Sequence, residues 1–166
     1  MIVLLQRSLE ASVEMLDGPD AGAREAITRG LVALVGVERG DGDAQARWCA
    51  DKTARLRIFP DEQGKMNRSL LDLARQAPQE GLGVLVVSQF TLAGDCRKGT
   101  RPSFTDAAPP HVAQPLVESY ARRLEQEHGL FVARGRFGAM MRVSLVNDGP
   151  VTLVLQRTAA APVEPT

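Results

Sequence analysis

Two apolar runs constrain this fold more than any other feature of the chain. Leu31-Val32-Ala33-Leu34-Val35-Gly36-Val37 and Val84-Leu85-Val86-Val87 are continuous rather than alternating, and rich in β-branched side chains. That pattern belongs to strands covered on both faces. Both runs are strand-sized, far short of the ~20 apolar residues a helix needs to span a bilayer. At 166 residues the chain has the size of one domain. Such a domain buries about 70% of its unfolded surface and needs neither staples nor metal to hold a core.

The remaining elements fall around these runs. Met1 to Arg7 and Ala11 to Leu16 read as strands separated by a short polar break. Asp17-Gly18-Pro19-Asp20 is a turn cluster, and the stretch from there to Arg29 reads as an irregular loop. Gly40-Asp41-Gly42-Asp43 breaks the chain and can cap a helix from about Ala44 to Arg57, with Cys49, Thr53 and Leu56 on one stripe flanked by Trp48. The second run reads as a strand from Gly83 to Leu92. Pro110 to Glu127 is the clearest helix, because Val112, Leu116, Tyr120 and Leu124 recur every four residues beside Ala113, Val117 and Ala121. Phe131 to Arg134, Met141 to Val146 and Val151 to Gln156 read as closing strands. Strands outnumber helices, and several lie too close in sequence for helical crossovers. The expectation is a single α+β domain over 1–156: a mostly antiparallel, barrel-like β-sheet with two main helices. The Ala/Pro-rich tail, 157–166, is expected to be disordered.

Composition excludes several functions. Twenty Lys+Arg balance twenty Asp+Glu, which rules out a protein that coats DNA by sheer positive charge, though not a local basic contact with an RNA end. Aromatic residues make up 4%, too few for a broad base-stacking platform. Cys49 and Cys96 are the only cysteines, so a disulfide framework or Cys-rich zinc site is not expected. The first residues are too short an apolar stretch for a signal peptide, and the expectation is a soluble cytoplasmic protein.

The usual catalytic sets are missing. His111 and His128 bracket one expected helix, roughly 25 Å apart by the helical rise, and cannot share a metal; both are expected at the surface. Cys49 lies on an apolar stripe and reads as an inert core thiol, whereas Cys96 beside Arg97 and Lys98 has cationic neighbours but no base placed by sequence. Neither a Walker loop, a dinucleotide fingerprint nor a serine elbow is present.

Two segments stand out. In the first, Ser88-Gln89-Phe90-Thr91-Leu92 runs straight out of a buried strand into Gly94 to Phe104, a loop carrying Arg97, Lys98 and Arg101. It fits a solvated strand end. It also fits a strand-end site whose Gln and Thr groups face a pocket while the cations face phosphate. In the second, Asn147-Asp148-Gly149-Pro150-Val151-Thr152 separates two apolar strands. It fits a β-turn. A cis Gly149-Pro150 step, however, would present adjacent carbonyls as fixed acceptors.

Together these segments resemble the D-aminoacyl-tRNA deacylase family, whose Ser-Gln-x-x-Thr and Asn-x-Gly-Pro-Val-Thr signatures stand here at Ser88 to Thr91 and Asn147 to Thr152. Supporting pieces, among them Gln6-Arg7, Gly64-Lys65-Met66-Asn67, Arg101-Pro102-Ser103-Phe104 and Gly135-Arg136-Phe137, extend the resemblance over about 1–156. The Glu14 to Arg29 connection is longer than the family pattern, Gln76 to Gly81 looks inserted, and the tail is extra.

The resemblance implies an editing hydrolase that cuts the ester between a D-amino acid, or glycine, and the 3′-terminal adenosine of tRNA. It implies a homodimer with active sites at the subunit interface and no metal or organic cofactor. Neither DNA nor a membrane is an expected partner. Ser88, Gln89, Thr91 and the Phe90 backbone N–H are the implied catalytic positions. Gly149, Pro150, Arg7, Asn147, Phe137 and Met66 are the implied substrate-binding ones, with Arg7 orienting the Gly-Pro element. Arg97, Lys98 and Arg101 are candidates for holding the tRNA acceptor end. An aminoacyl ester is already activated, so positioning and oxyanion stabilisation can suffice. Thr91 fits either positioning or nucleophilic attack, and no general base is visible to activate it.

Overall fold

In the computed structural model, which describes residues 1–76 and 80–159, a six-stranded sheet carries the fold. Its first strand, β1 (Ile2–Met15), is paired along both edges. One edge takes β3 (Arg29–Gly36) and then β2 (Arg24–Ile27); the other takes β8 (Met141–Gln156) over its whole length. These pairings are antiparallel. Beyond β3 the sheet continues in parallel through β6 (Leu82–Ser88) to β7 (Phe131–Arg134). The end strand β2 comes back into contact with β6 and β7, so the sheet is nearly closed into a barrel.

The α+β single domain is the expected one, but the sheet is mixed. The two parallel pairings require long crossovers. Helix α1 (Asp43–Arg55) and a short third helix, α2 (Leu70–Gln76), lie between β3 and β6, and α3 (Pro110–Gln126) lies between β6 and β7. The small ribbon of β4 (Phe59–Pro60) and β5 (Met66–Arg68) also stands outside the sequence reading. So does β2, whose segment reads as loop because Arg24-Glu25-Ala26-Ile27 buries one side chain of four.

The continuous apolar runs have the expected cause. Leu31, Ala33 and Val35 of β3, with Val84 and Val86 of β6, pack against Cys49, Ala50 and Ala54 of α1 and Tyr120, Ala121 and Leu124 of α3. The alternate residues Val32, Leu85 and Val87 pack inside the curled sheet with Val13, Ile27 and Ala133. Burial pushes the Cys49 thiol up to about 11, which makes it inert as expected. His128 is not at the surface: its ring is buried and lies 2.7 Å from Asp51, which also takes Arg123 at 2.7 Å and so ties α1 to the end of α3.

β1 and β8 each change face midway. Val3 and Leu5 join the helix-side core, whereas Ala11, Val13 and Met15 join the inner one. Odd-numbered residues serve both, so register must slip in between, and the β1·β8 pairing shifts at Gln6/Ser8 and Ser8/Glu10. Asn147 to Thr152 is therefore not a turn between two strands. Both arms of β8 pair with β1, and Asp148 to Val151 bulge out opposite Arg7. Of the last strand, Val151 and Leu155 pack on the core, but Leu153 is exposed.

The tail begins tied down. Met1 and Arg157 exchange backbone hydrogen bonds, and the Arg157 guanidinium lies 5.7 Å over the Trp48 ring. Residues 160–166, and 77–79 of the expected insertion, lie outside the described residues.

Candidate active site

Ser88 ends β6, and the strand expected to run on to Leu92 stops there. The Gln89 N–H donates to the Val35 carbonyl at 2.7 Å, the last rung towards β3. Phe90–Ala93 then form one 3₁₀ turn. Gly36 permits this fold-back: a Cβ there would lie 2.9 Å from Leu92 Cβ and 3.0 Å from the Gln89 carbonyl. The first hydrogen bond of the turn runs from Leu92 N–H to Gln89 O, 3.2 Å. The Phe90 and Thr91 N–H groups precede it and have no partner within the turn. They form an adjacent donor pair at the strand's carboxyl end. Gln89 Nε2 donates to Thr91 Oγ1 at 2.5 Å, which fixes the hydroxyl. Phe90 is 58% exposed and meets Phe104 edge-on, with centroids 5.1 Å apart.

Ser88 also lines a cavity of about 780 Å³. Phe137 and Gly135 lie on its wall after β7, and His111 and Pro115 of α3 close the other side. Pro115 brings no N–H, so the helix withholds its usual donor from the His111 carbonyl. Of the three arginines at the wall, Arg134 is engaged with Glu125 at 2.5 Å and Arg136 with Asp20, while Arg122 lies 4.0 Å from Glu118. His111 thus belongs to a cavity that the sequence gives no sign of, because it is built from β6, β7 and α3 together.

The second signature forms a compact cluster. The Gly149-Pro150 peptide is cis, with Gly149 at φ +115°. Asn147 Nδ2 donates to the Arg7 carbonyl at 2.9 Å and to the Val151 carbonyl at 3.1 Å, closing the base of the bulge. The Arg7 side chain is almost wholly buried. Its Nη1 donates to the Ile58 carbonyl, and its Nε lies 2.8 Å from the Asp148 carboxylate. A Cβ on Gly149 would come within 2.9 Å of Arg7 Nη2, so this position needs glycine for space as well as for φ. Gly149 and Pro150 are exposed and do not line the cavity that Ser88 and Phe137 share.

The other expected positions stand apart. Met66 is exposed on β5, paired with Pro60 of β4. Arg97 is bound to Asp95 at 2.8 Å and lines a second, open cavity with Leu92, Gly94 and the exposed Cys96. The Arg97 guanidinium holds the Asp95 carboxyl at about 2. Lys98 and Arg101 are exposed on the same loop, which is pinched by paired backbone bonds between Asp95 and Ser103. Among the described residues, no group of three His, Cys, Asp or Glu could hold a metal ion, and no helix is long and apolar enough to cross a membrane.

Comparison with known proteins bears on this arrangement. The model of the D-Tyr-tRNA(Tyr) deacylase family matches residues 4–156. The D-aminoacyl-tRNA deacylase of Roseiflexus castenholzii is 54% identical over 155 residues, covering 93% of this chain and 91% of that protein. That of Heliobacterium modesticaldum is 54% identical over 156 residues, covering 94% and 96%. Among solved structures, the c-Myc DNA Unwinding Element Binding Protein superposes with a TM-score of 0.81 at 34% identity, covering 96% of this chain and 100% of that one. The structure of a probable eukaryotic D-amino acid tRNA deacylase gives a TM-score of 0.72 at 16% identity, covering 93% of this chain and 97% of that one, and shares the fold.

Proposed function

Because this chain belongs to the D-Tyr-tRNA(Tyr) deacylase family, we propose that it edits aminoacyl-tRNA by excluding L-substrates with the Gly149-Pro150 backbone. It is an ester hydrolase acting on D-aminoacyl-tRNA. The observation that carries the reading is the placement of Gly149-Pro150: a backbone element fixed by Asn147 and Arg7, exposed, and outside the cavity of its own chain. Such a tip suits insertion into the site of a second copy.

The active form is a homodimer with each site shared between subunits. Val143, Val146, Leu153 and Val154, all exposed along β8, supply apolar surface for a partner to cover. In the shared site the carbonyls of Gly149 and Pro150 receive the substrate's α-amino group. A D-side chain points away from them, whereas an L-side chain, with the same groups held, drives its Cβ into the backbone. Glycine has no Cβ and passes, so glycyl-tRNA is also a substrate.

Hydrolysis needs little from side chains. The ester is activated, the adenosine 2′-OH assists the attacking water, and the paired N–H groups of Phe90 and Thr91 receive the oxyanion. Gln89 orients Thr91, whose hydroxyl positions substrate. Ser88 and Phe137 receive the terminal adenosine, while Met66, which stands apart from their cavity, meets the substrate only in the shared site. Arg97, Lys98 and Arg101 hold the tRNA acceptor end, and the protein works in the cytoplasm. The name of one structural neighbour raises DNA as a partner, but twenty cations balanced by twenty anions favour a short acceptor end over a long duplex.

Labelled D-Tyr-tRNA and L-Tyr-tRNA decide the matter. Rapid release of D-tyrosine with the L-ester spared is expected. Equal release from both would refute exclusion, and release from neither would leave a silent scaffold.

A further inference from the structure

Asp148 stands between the residue that closes the bulge and the peptide that projects from it. Asn147 fixes only the two ends, through the carbonyls of Arg7 and Val151. The residues between could still pivot about that base. Asp148 adds the one charged restraint inside the bulge: its carboxylate lies 2.8 Å from Arg7 Nε, an ion pair whose angle falls short of a hydrogen bond.

Arg7 is a firm anchor. It is 8% exposed, donates to the Ile58 carbonyl, and lies 5.9 Å over the Phe59 ring, itself fully buried. Among the described residues Asp148 is the one carboxylate in an ion pair with it. A buried guanidinium is costly to leave without an anion, so the pair resists separation. The anchored carboxylate is one residue from Gly149, and a rotation at 148 passes directly to the projecting carbonyls. The Asp148 carboxylate is turned towards Arg7 of its own chain.

We propose that Asp148 is a positioning residue that sets discrimination between D- and L-aminoacyl esters, by locking the Gly149-Pro150 carbonyls against Arg7. The proposal rests on the reading of that peptide as the element that excludes L-substrates.

The test uses the full chain with Asp148→Ala, Asp148→Asn and Asp148→Glu. Values of kcat/KM are measured on D-Tyr-tRNA and L-Tyr-tRNA with the same preparation, raising enzyme until the L-rate is measurable. The D:L ratio does not depend on how much of each variant is folded, since both substrates meet the same active molecules. The ratio is expected to fall at least tenfold in Asp148→Ala and Asp148→Asn and to recover most of the way in Asp148→Glu. Equal losses on both substrates, with the ratio unchanged, would mean that Asp148 only stabilises the fold. A ratio no better in Asp148→Glu than in Asp148→Asn would also overturn the proposal. A crystal structure of Asp148→Asn supplies a readout independent of activity: the Gly149-Pro150 carbonyls should be displaced, and finding them unmoved refutes the lock. A wild type without D-preference would sink the exclusion reading instead, and the crystal structure alone would then decide whether Asp148 positions the peptide.

Discussion

Gly36→Ala tests whether the 3₁₀ turn is the working part of the site. Gly36 does not have positive φ, so alanine suits its backbone and the perturbation is one of packing. The added Cβ would lie 2.9 Å from Leu92 Cβ and 3.0 Å from the Gln89 carbonyl. Ordinary carbon–carbon contact begins near 3.5 Å, so the turn must move by roughly 0.6 Å. Overpacking of this kind costs about 1–3 kcal/mol. In a domain of this size that lowers Tm by roughly 3–10 °C, which leaves the enzyme folded at room temperature. The catalytic consequence is larger in proportion. A misplacement of 1 Å can cost on the order of 100-fold in rate, and the displaced segment carries the Phe90 and Thr91 N–H groups. We expect kcat on D-Tyr-tRNA to drop about tenfold, with the melting transition still cooperative. Thermal melts and single-turnover deacylation on one preparation measure both. If Tm falls as expected while kcat stays within about twofold of wild type, the turn is not where the oxyanion is held, and the argument from donor geometry fails.

Thr91→Ala should weaken turnover without abolishing it, and replacing the terminal adenosine by its 2′-deoxy form should cost far more; a trapped acyl-enzyme in the wild type would make Thr91 a nucleophile. Asp41→Asn should destabilise the fold by about 3 kcal/mol in urea unfolding, because the Met1 ammonium is wholly buried against the Asp41 carboxylate at 2.6 Å; an unchanged midpoint would show that Glu38, 3.1 Å away, suffices alone. Asp51 is held below its ordinary value chiefly by the Arg123 hydrogen bond and further by His128. Its folded pKa is depressed, so its stabilisation is full above the unfolded value near ~3.9 and is lost as pH falls through the folded one. Melting curves of wild type and Asp51→Asn should therefore differ at pH 6 and converge towards pH 2; a constant difference would refute the assignment.

What the sequence determined by itself was everything carried by local pattern. Continuous apolar runs required two-sided burial, and β3 and β6 have it. A four-residue repeat required α3, and its Tyr120 and Leu124 are buried. The two signatures identified the family because they state residue types in order, which needs no coordinates. Tertiary structure decided what identical local sequence leaves open. Asn-Asp-Gly-Pro serves a turn or a bulge equally well, and the choice fell to pairing: β1 is long enough to take both arms of β8, so the segment bulges instead of reversing. Phe90 and Thr91 are strand-forming types that follow directly on a buried strand, yet the strand ends where β3 offers its last carbonyl on that edge and the space above Gly36 admits a 3₁₀ turn. Arg7 and Asp148 are 141 positions apart, and no periodicity connects them. Their meeting depends on the register slip in the β1·β8 pairing, where β8 bulges opposite Arg7, a property of packed sheets rather than of any stretch of chain.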